Sequence, residues 1–215
     1  MNQYRPLNDH VYEYIISLIN DGKISAGDRV SEQMICDAMG VSRTPVREAL
    51  IKLSDDGYLD NELRKGFRVH GFDAEAAQEI FQIIGPLDAQ ATCLASAHLK
   101  ESDFQQLQFL IDSMELAISG GLVSKYDELQ RAFHDYYMLR CGNERLVSLI
   151  KQQKRFFIHR EQINTSPEHA RELFGTANKE HQQILDLLKA GKLDELACFM
   201  RKVHWSSAHV QLVTW

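Results

Sequence analysis

The sequence predicts a mostly α-helical fold in two parts: three short helices closed by a β-hairpin, then an antiparallel all-α bundle. Three observations carry that prediction. Apolar residues recur at helical spacing along most of the chain, residues 58–70 alternate instead, and beyond His70-Gly71-Phe72-Asp73 every periodic segment is helical. At 215 residues, 44% hydrophobic and 25% charged, the chain is long enough for two domains with real cores. The expected division is 1–71 and 72–215.

The elements follow in order. A first helix is expected from Asn8, as N-cap, to residue 21, with Val11, Ile15, Leu18 and Ile19 on one stripe and Gly22 ending it. Ser31 is placed to cap a second helix, and Gly40 suits the left-handed residue that closes one. A third starts at Ser42 or Thr44 and runs to about residue 56. Two strands, 58–60 and 67–70, flank a tight turn in which Gly66 supplies the backbone freedom. Six helices are then expected, at about 74–99, 102–119, 124–141, 144–162, 168–189 and 193–210, with Ser102 and Asp194 as caps. Gly85-Pro86 lies inside the first of these, where a kink or break is expected.

Composition excludes some classes of function. Cys36, Cys93, Cys141 and Cys198 are scattered, with no paired spacing for a disulfide framework or a zinc site, and are expected to stay reduced. The first residues lack the pattern of a signal peptide and no apolar run spans a bilayer, so the expected location is the cytoplasm. The net charge of −6 offers no global attraction to a polyanion. Local grouping differs, because Arg43, Arg47, Lys52, Arg64, Lys65 and Arg68 fall in two short segments that can share one face.

Residues 32–51 have the spacing of a helix-turn-helix. Ile35, Met39, Val41, Val46 and Ala49 supply its apolar positions, the small Cys36 sits at the helix crossing and Gly40 at the turn. The pattern turns Ser42, Arg43, Thr44 and Arg47 outward at the start of the second helix, the end that enters a major groove. Arg43 and Arg47 share a face, and arginine matches the paired acceptors of guanine, while Ser42 and Thr44 suit phosphate oxygens. With the hairpin behind it this is a winged helix-turn-helix. Arg29-Val30-Ser31-Glu32, the run from Met39 to Leu50, Gly57-Tyr58-Leu59 and Lys65-Gly66-Phe67-Arg68-Val69 resemble the N-terminal signature of GntR-family regulators. That resemblance implies a homodimer on an inverted-repeat operator, with Arg43, Thr44 and Arg47 reading bases and the Lys65-Gly66 tip near the minor groove.

The second half resembles the FadR-like (FCD) ligand-binding branch of the same family. The matching pieces are Leu87-Asp88, Leu94-Ala95, Phe133-His134, Gly142-Asn143, Glu180-His181, Ile184-Leu185, Gly191, Ala197 and His204. The resemblance implies a helical bundle around a small-molecule effector, which controls operator affinity, and a divalent metal such as zinc held by His134, His181 and His204. It also implies an aspartate at position 130, where this chain has Gln130, a neutral and weak ligand; Asp127 is the alternative. An arginine expected four residues before Asp88 is absent, and Arg131, Arg140, Arg155 and Arg160 are the substitutes on offer. Taken singly, each histidine reads as a hydrogen-bonded core residue, and the aromatics Phe133, Tyr136, Tyr137, Phe156 and Phe157 read as core. A metal-dependent enzyme, or an interaction module without ligand, fused to a DNA-binding domain is the alternative function; HExxH, GxSxG and a phosphate loop are all missing, so no enzyme is expected.

Overall fold

The computed structural model describes residues 6–63, 65–71, 74–154, 166–206 and 209. These form two compact units, one up to residue 71 and one from residue 74 onward. The chain is mostly helical with one small antiparallel sheet.

The first unit holds α1 (Leu7–Asn20), β1 (Arg29–Val30), α2 (Glu32–Met39), α3 (Arg43–Asp55), β2 (Leu59–Glu62) and β3 (Gly66–Val69). Helix α1 starts one residue before Asn8, with Pro6 rather than Asn8 in the cap position. Helix α2 is capped as its sequence dictates: the Ser31 hydroxyl accepts from the Met34 N–H at 3.1 Å. Gly40 closes it in the left-handed region at φ 67°, and its N–H reaches Cys36 O. Gly40→Ala is expected to cost about 1–2 kcal/mol, because a Cβ is strained there although it meets no neighbour; urea unfolding checks this, and an unchanged midpoint would contradict it. Val11, Ile15 and Ile19 of α1 pack with Val46, Leu50 and Leu53 of α3, Ile35 of α2 and Val30, Leu59 and Val69 of the sheet. The strand order is β1-β3-β2, with Val30 opposite Phe67 and Leu59 opposite Val69. The two-residue β1 has no periodicity of its own, which is why the sequence shows only the hairpin.

The second unit holds α4 (Ala74–Ala95), α5 (Glu101–Ser119), α6 (Val123–Met138), α7 (Glu144–Lys154), α8 (Pro167–Lys189), α9 (Leu193–Phe199) and a π-helical turn (Met200–His204) running on from α9. Helices α4, α6, α5, α8 and α9 pack in a closed ring, α4 meeting α6 on one side and α9 on the other. Helix α4 is not broken at Pro86. The proline forfeits one backbone bond at a cost of roughly 3 kcal/mol, and burial of Phe81, Ile84, Ala89 and Ala91 along the same helix offsets it. Two caps differ from expectation. Asp103 accepts from the Lys100 N–H at 2.7 Å, so α5 begins before Ser102. Lys192, not Asp194, precedes α9. At α8, Ser166 accepts from the His169 N–H at 3.2 Å and Pro167 takes the first turn, where a missing donor costs nothing. The expected helix ends at 155–162 lie outside the described residues, as do Arg64, Arg155, Arg160, Phe156 and Phe157.

Candidate nucleic-acid interface and metal centre

In the first unit the α2-α3 pair buries Ile35, Val46, Ala49, Leu50 and Leu53 and leaves Ser42, Arg43, Thr44 and Arg47 exposed. Ser42 occupies the α3 N-cap position without a side-chain bond, so its hydroxyl and the first α3 N–H groups face outward together. Arg43 Nη2 donates to Gln33 Oε1 at 2.9 Å and Arg47 Nε lies 3.8 Å from Glu32 Oε1, so α2 holds both guanidinium groups loosely. Exposed contacts of this kind are weak enough to exchange for a phosphate or base. Lys65 is exposed at the hairpin tip, 3.7 Å from Glu62, and Gly66 next to it has φ 87°. Two more of the grouped basic residues meet partners within the unit. Arg68 bonds Gly27 O and Glu62, and Lys52 pairs with Asp9 at 3.0 Å over the Tyr12 ring.

In the second unit α6 presents His134, α8 presents His181, and the π-helical turn presents His204, all three buried with donor nitrogens within 4.8 Å of one another. The π-helical turn matters here: its wider winding buries Met200 and His204 together and delivers Trp205 to the same side. A Cβ at Gly85 would come within 3.1 Å of the Trp205 Cβ, so the glycine in α4 is what lets that turn approach. Trp205 packs edge-on against Phe81, and its Nε1–H donates to Asp88 Oδ2 at 3.0 Å.

Asp88 is fully buried and accepts on one oxygen from Trp205, from the Tyr137 hydroxyl at 3.1 Å and from His134 Nδ1 at 3.1 Å. Burial alone would raise its pKa, but Lys154 and the hydrogen bond from His134 hold it well below the ordinary carboxylate range. Glu180 is also kept ionised, down to about pH 2: burial opposes this, and hydrogen bonds from His204 and His209 prevail. Its two oxygens face His204 Nδ1 at 3.0 Å and His209 Nε2 at 3.2 Å. Burial, then Lys154, lowers His134 to about 4; burial, then His204 and His134, also holds His181 well below the ordinary imidazole range.

Two features fit a cation. An ionised carboxylate only accepts, and the Tyr137 hydroxyl, 2.5 Å from His134 Nδ1, donates its one proton to Asp88 and can only accept from the ring, so His134 and His204 each carry their proton on Nδ1 and present bare Nε2 lone pairs, which face each other at 3.3 Å. That spacing is what two nitrogens about 2.0–2.1 Å from one tetrahedral ion adopt. His181 is buried with both ring nitrogens lacking a partner, a costly state that coordination to a cation relieves. Gln130, half-buried, lies one turn before His134 on α6. Asp127 is not among the clustered donors; burial, offset by Arg131, raises it to about 6. Arg140 lies over the Tyr136 ring at 3.6 Å and pairs with Asp103 at 3.3 Å, so it is engaged at the α5-α6 seam. Lys154 at the end of α7, 5.9 Å over Trp205, is the cation that acts on Asp88 and His134. No sequence pattern marked it. Asp88 and Glu180 stood in the resemblance without a role, because their partners lie 46 and 24 residues away.

These shifts set a pH dependence. Between pH 6.5 and about 4 unfolded chains take up protons that buried His134 and His181 refuse, so metal-free protein should lose stability on acidification. Asp127 works in the opposite sense, since its native form protonates first. In an Asp127→Asn background, urea midpoints in chelator buffer should therefore fall across this window, and a flat profile would contradict the assignment.

Residues 7–69 match the family profile described as bacterial regulatory proteins of the gntR family, and residues 79–204 match the FCD domain. The Bacillus subtilis protein YdhC, named an uncharacterized HTH-type transcriptional regulator, is 27% identical over 179 residues, 83% of this chain and 79% of its own. The Escherichia coli transcriptional repressor RspR is 26% identical over 134 residues, 62% of this chain and 59% of its own. Among solved structures E. coli McbR/YncC has a TM-score of 0.70 at 22% identity, covering 97% of this chain and 95% of that one. No described helix is long and apolar enough to cross a membrane.

Proposed function

Since the chain belongs to the gntR family of bacterial regulatory proteins, in the branch that carries an FCD domain, we propose that it is a ligand-controlled repressor. The first unit reads operator DNA; the second binds a metal and a small effector and joins two copies. The observation that carries the reading is the pairing, in one chain, of an exposed Ser42-Arg43-Thr44-Arg47 helix start with a buried three-histidine centre.

On the DNA side, Arg43 and Arg47 contact guanine edges, Ser42 and Thr44 contact phosphates, and Lys65 at the Gly66 turn reaches the minor groove. One such unit covers too little DNA for tight specific binding, so the chain is expected to act as a dimer on an inverted repeat in the cytoplasm. Repression is favoured by the relative RspR, which is named a repressor. On the ligand side, His134, His181 and His204 hold the ion, with Gln130 the weak neighbour, and zinc suits three neutral imidazoles. When bound, the ion supplies an electrophile to which an anionic or chelating effector can attach. Lys154 favours negative charge beside it, in place of the arginine absent from α4.

The test is light scattering with a mobility-shift titration on an operator. Two chains per inverted repeat, and a complex weakened by a ligand that needs the histidines, are expected. One monomer per operator, insensitive to metal and ligand alike, would contradict the proposal.

A further inference from the structure

Three neutral imidazoles bring no negative charge to a cation, and position 130, one turn before His134, holds a glutamine. Yet the centre is not without charge. Asp88 touches the Nδ1 of His134 at 3.1 Å and Glu180 touches the Nδ1 of His204 at 3.0 Å, each on the nitrogen that faces away from the neighbouring imidazole. The two dyads are built independently. Asp88 comes from α4 and is oriented by Trp205 and Tyr137, whereas Glu180 comes from α8 and has its other oxygen 3.2 Å from His209.

We propose that Asp88 and Glu180 are positioning residues of the metal centre, which fix the Nδ1–H tautomers of His134 and His204 and supply through those rings the negative charge that Gln130 does not. The inference rests on the metal reading above. Its physics is general: a carboxylate accepting from one ring nitrogen orients the imidazole, leaves the other nitrogen bare, and raises that nitrogen's basicity toward a cation. His181 has no such partner, since both of its nitrogens are unbonded. The three ligands are therefore unequal, with His134 and His204 the stronger donors. The preferred cation is a borderline, nitrogen-seeking ion such as zinc over oxygen-seeking magnesium or calcium, because the clustered donors are three imidazole nitrogens and neither carboxylate is among them.

The experiment is a zinc titration of the full chain against a chromogenic chelator, for wild type, Asp88→Asn and Glu180→Gln. Each substitution keeps the size and an accepting oxygen but removes the charge. Each is expected to weaken zinc roughly 10- to 100-fold, the usual cost of losing an outer partner, and magnesium should give no binding in any variant. A merely structural role is separated by ¹⁵N spectra of the zinc-bound histidine rings: Asp88→Asn should move the His134 resonances and leave His204, and Glu180→Gln the reverse. Because Asp88 is the more deeply buried, Glu180→Gln alone decides the matter if the other variant does not fold. Zinc binding equal to wild type, or spectral changes spread over all three rings, would overturn the inference. A wild-type chain that takes no zinc would overturn the metal reading and this inference with it, and is recognised before any variant is compared.

Discussion

Replacing Arg43 by alanine is expected to weaken operator binding by roughly 5- to 150-fold, the equivalent of about 1–3 kcal/mol for a lost bidentate guanine contact. Arg47→Ala should do the same at another base pair, and the double variant should bind specific and random DNA alike. The fold should be indifferent. Arg43 and Arg47 are exposed and, among the described residues, meet Gln33 and Glu32 on α2 through contacts worth little in water. Their backbones, by contrast, are held by buried Val46, Ala49 and Leu50 on the opposite face of α3. Lys65→Ala should behave differently, lowering affinity evenly across sequences and reducing the salt dependence by about one counterion. A titration in which the arginine variants keep full discrimination would remove α3 from the role of reader.

The second large effect concerns His181. His181→Leu is expected to strip the metal, with a loss exceeding the roughly 10- to 100-fold of an outer partner, because one of three coordinating nitrogens is gone. In metal-free protein the same change should be neutral or stabilising. Both nitrogens of the buried ring lack partners, so an apolar side chain of similar volume removes a desolvation cost and breaks no hydrogen bond. The contrast between the two states is diagnostic. Elemental analysis and melting temperatures with and without chelator measure it, and equal metal content in wild type and variant would exclude His181 as a ligand. Gln130→Asp sharpens the comparison: it should strengthen metal binding if position 130 reaches the ion, and destabilise the fold as an unpaired half-buried charge if it does not.

The first unit was legible in the sequence because its determinants are local. Ser31 and Gly40 each act on the turn they occupy, and the buried stripe of α3 recurs at helical spacing. The histidines were legible through resemblance rather than through periodicity, which gave each only a place on an apolar face. What lay beyond reach depends on side chains meeting across the ring. Asp88 finds His134, and Glu180 finds His204, only once α4, α6, α8 and the π-helical turn are assembled. The π-helical turn itself carries no compositional mark, since one extra residue per turn is a packing outcome. The continuity of α4 through Pro86 was equally hidden, because a local rule that favours a break is outweighed by burial along the rest of the helix. Arg68 looked available to DNA in sequence, but its guanidinium bonds both Gly27 O and Glu62.

The central claim is that α3 of paired copies reads an inverted repeat under control of the histidine centre. Selection of bound sites from a random DNA library, with zinc-loaded wild type and with the Arg43→Ala, Arg47→Ala variant, tests it most directly. Wild type should enrich a two-fold-symmetric site whose guanine positions vanish for the variant. Enrichment of no symmetric site by wild type, or of the same site by both proteins, would contradict the account.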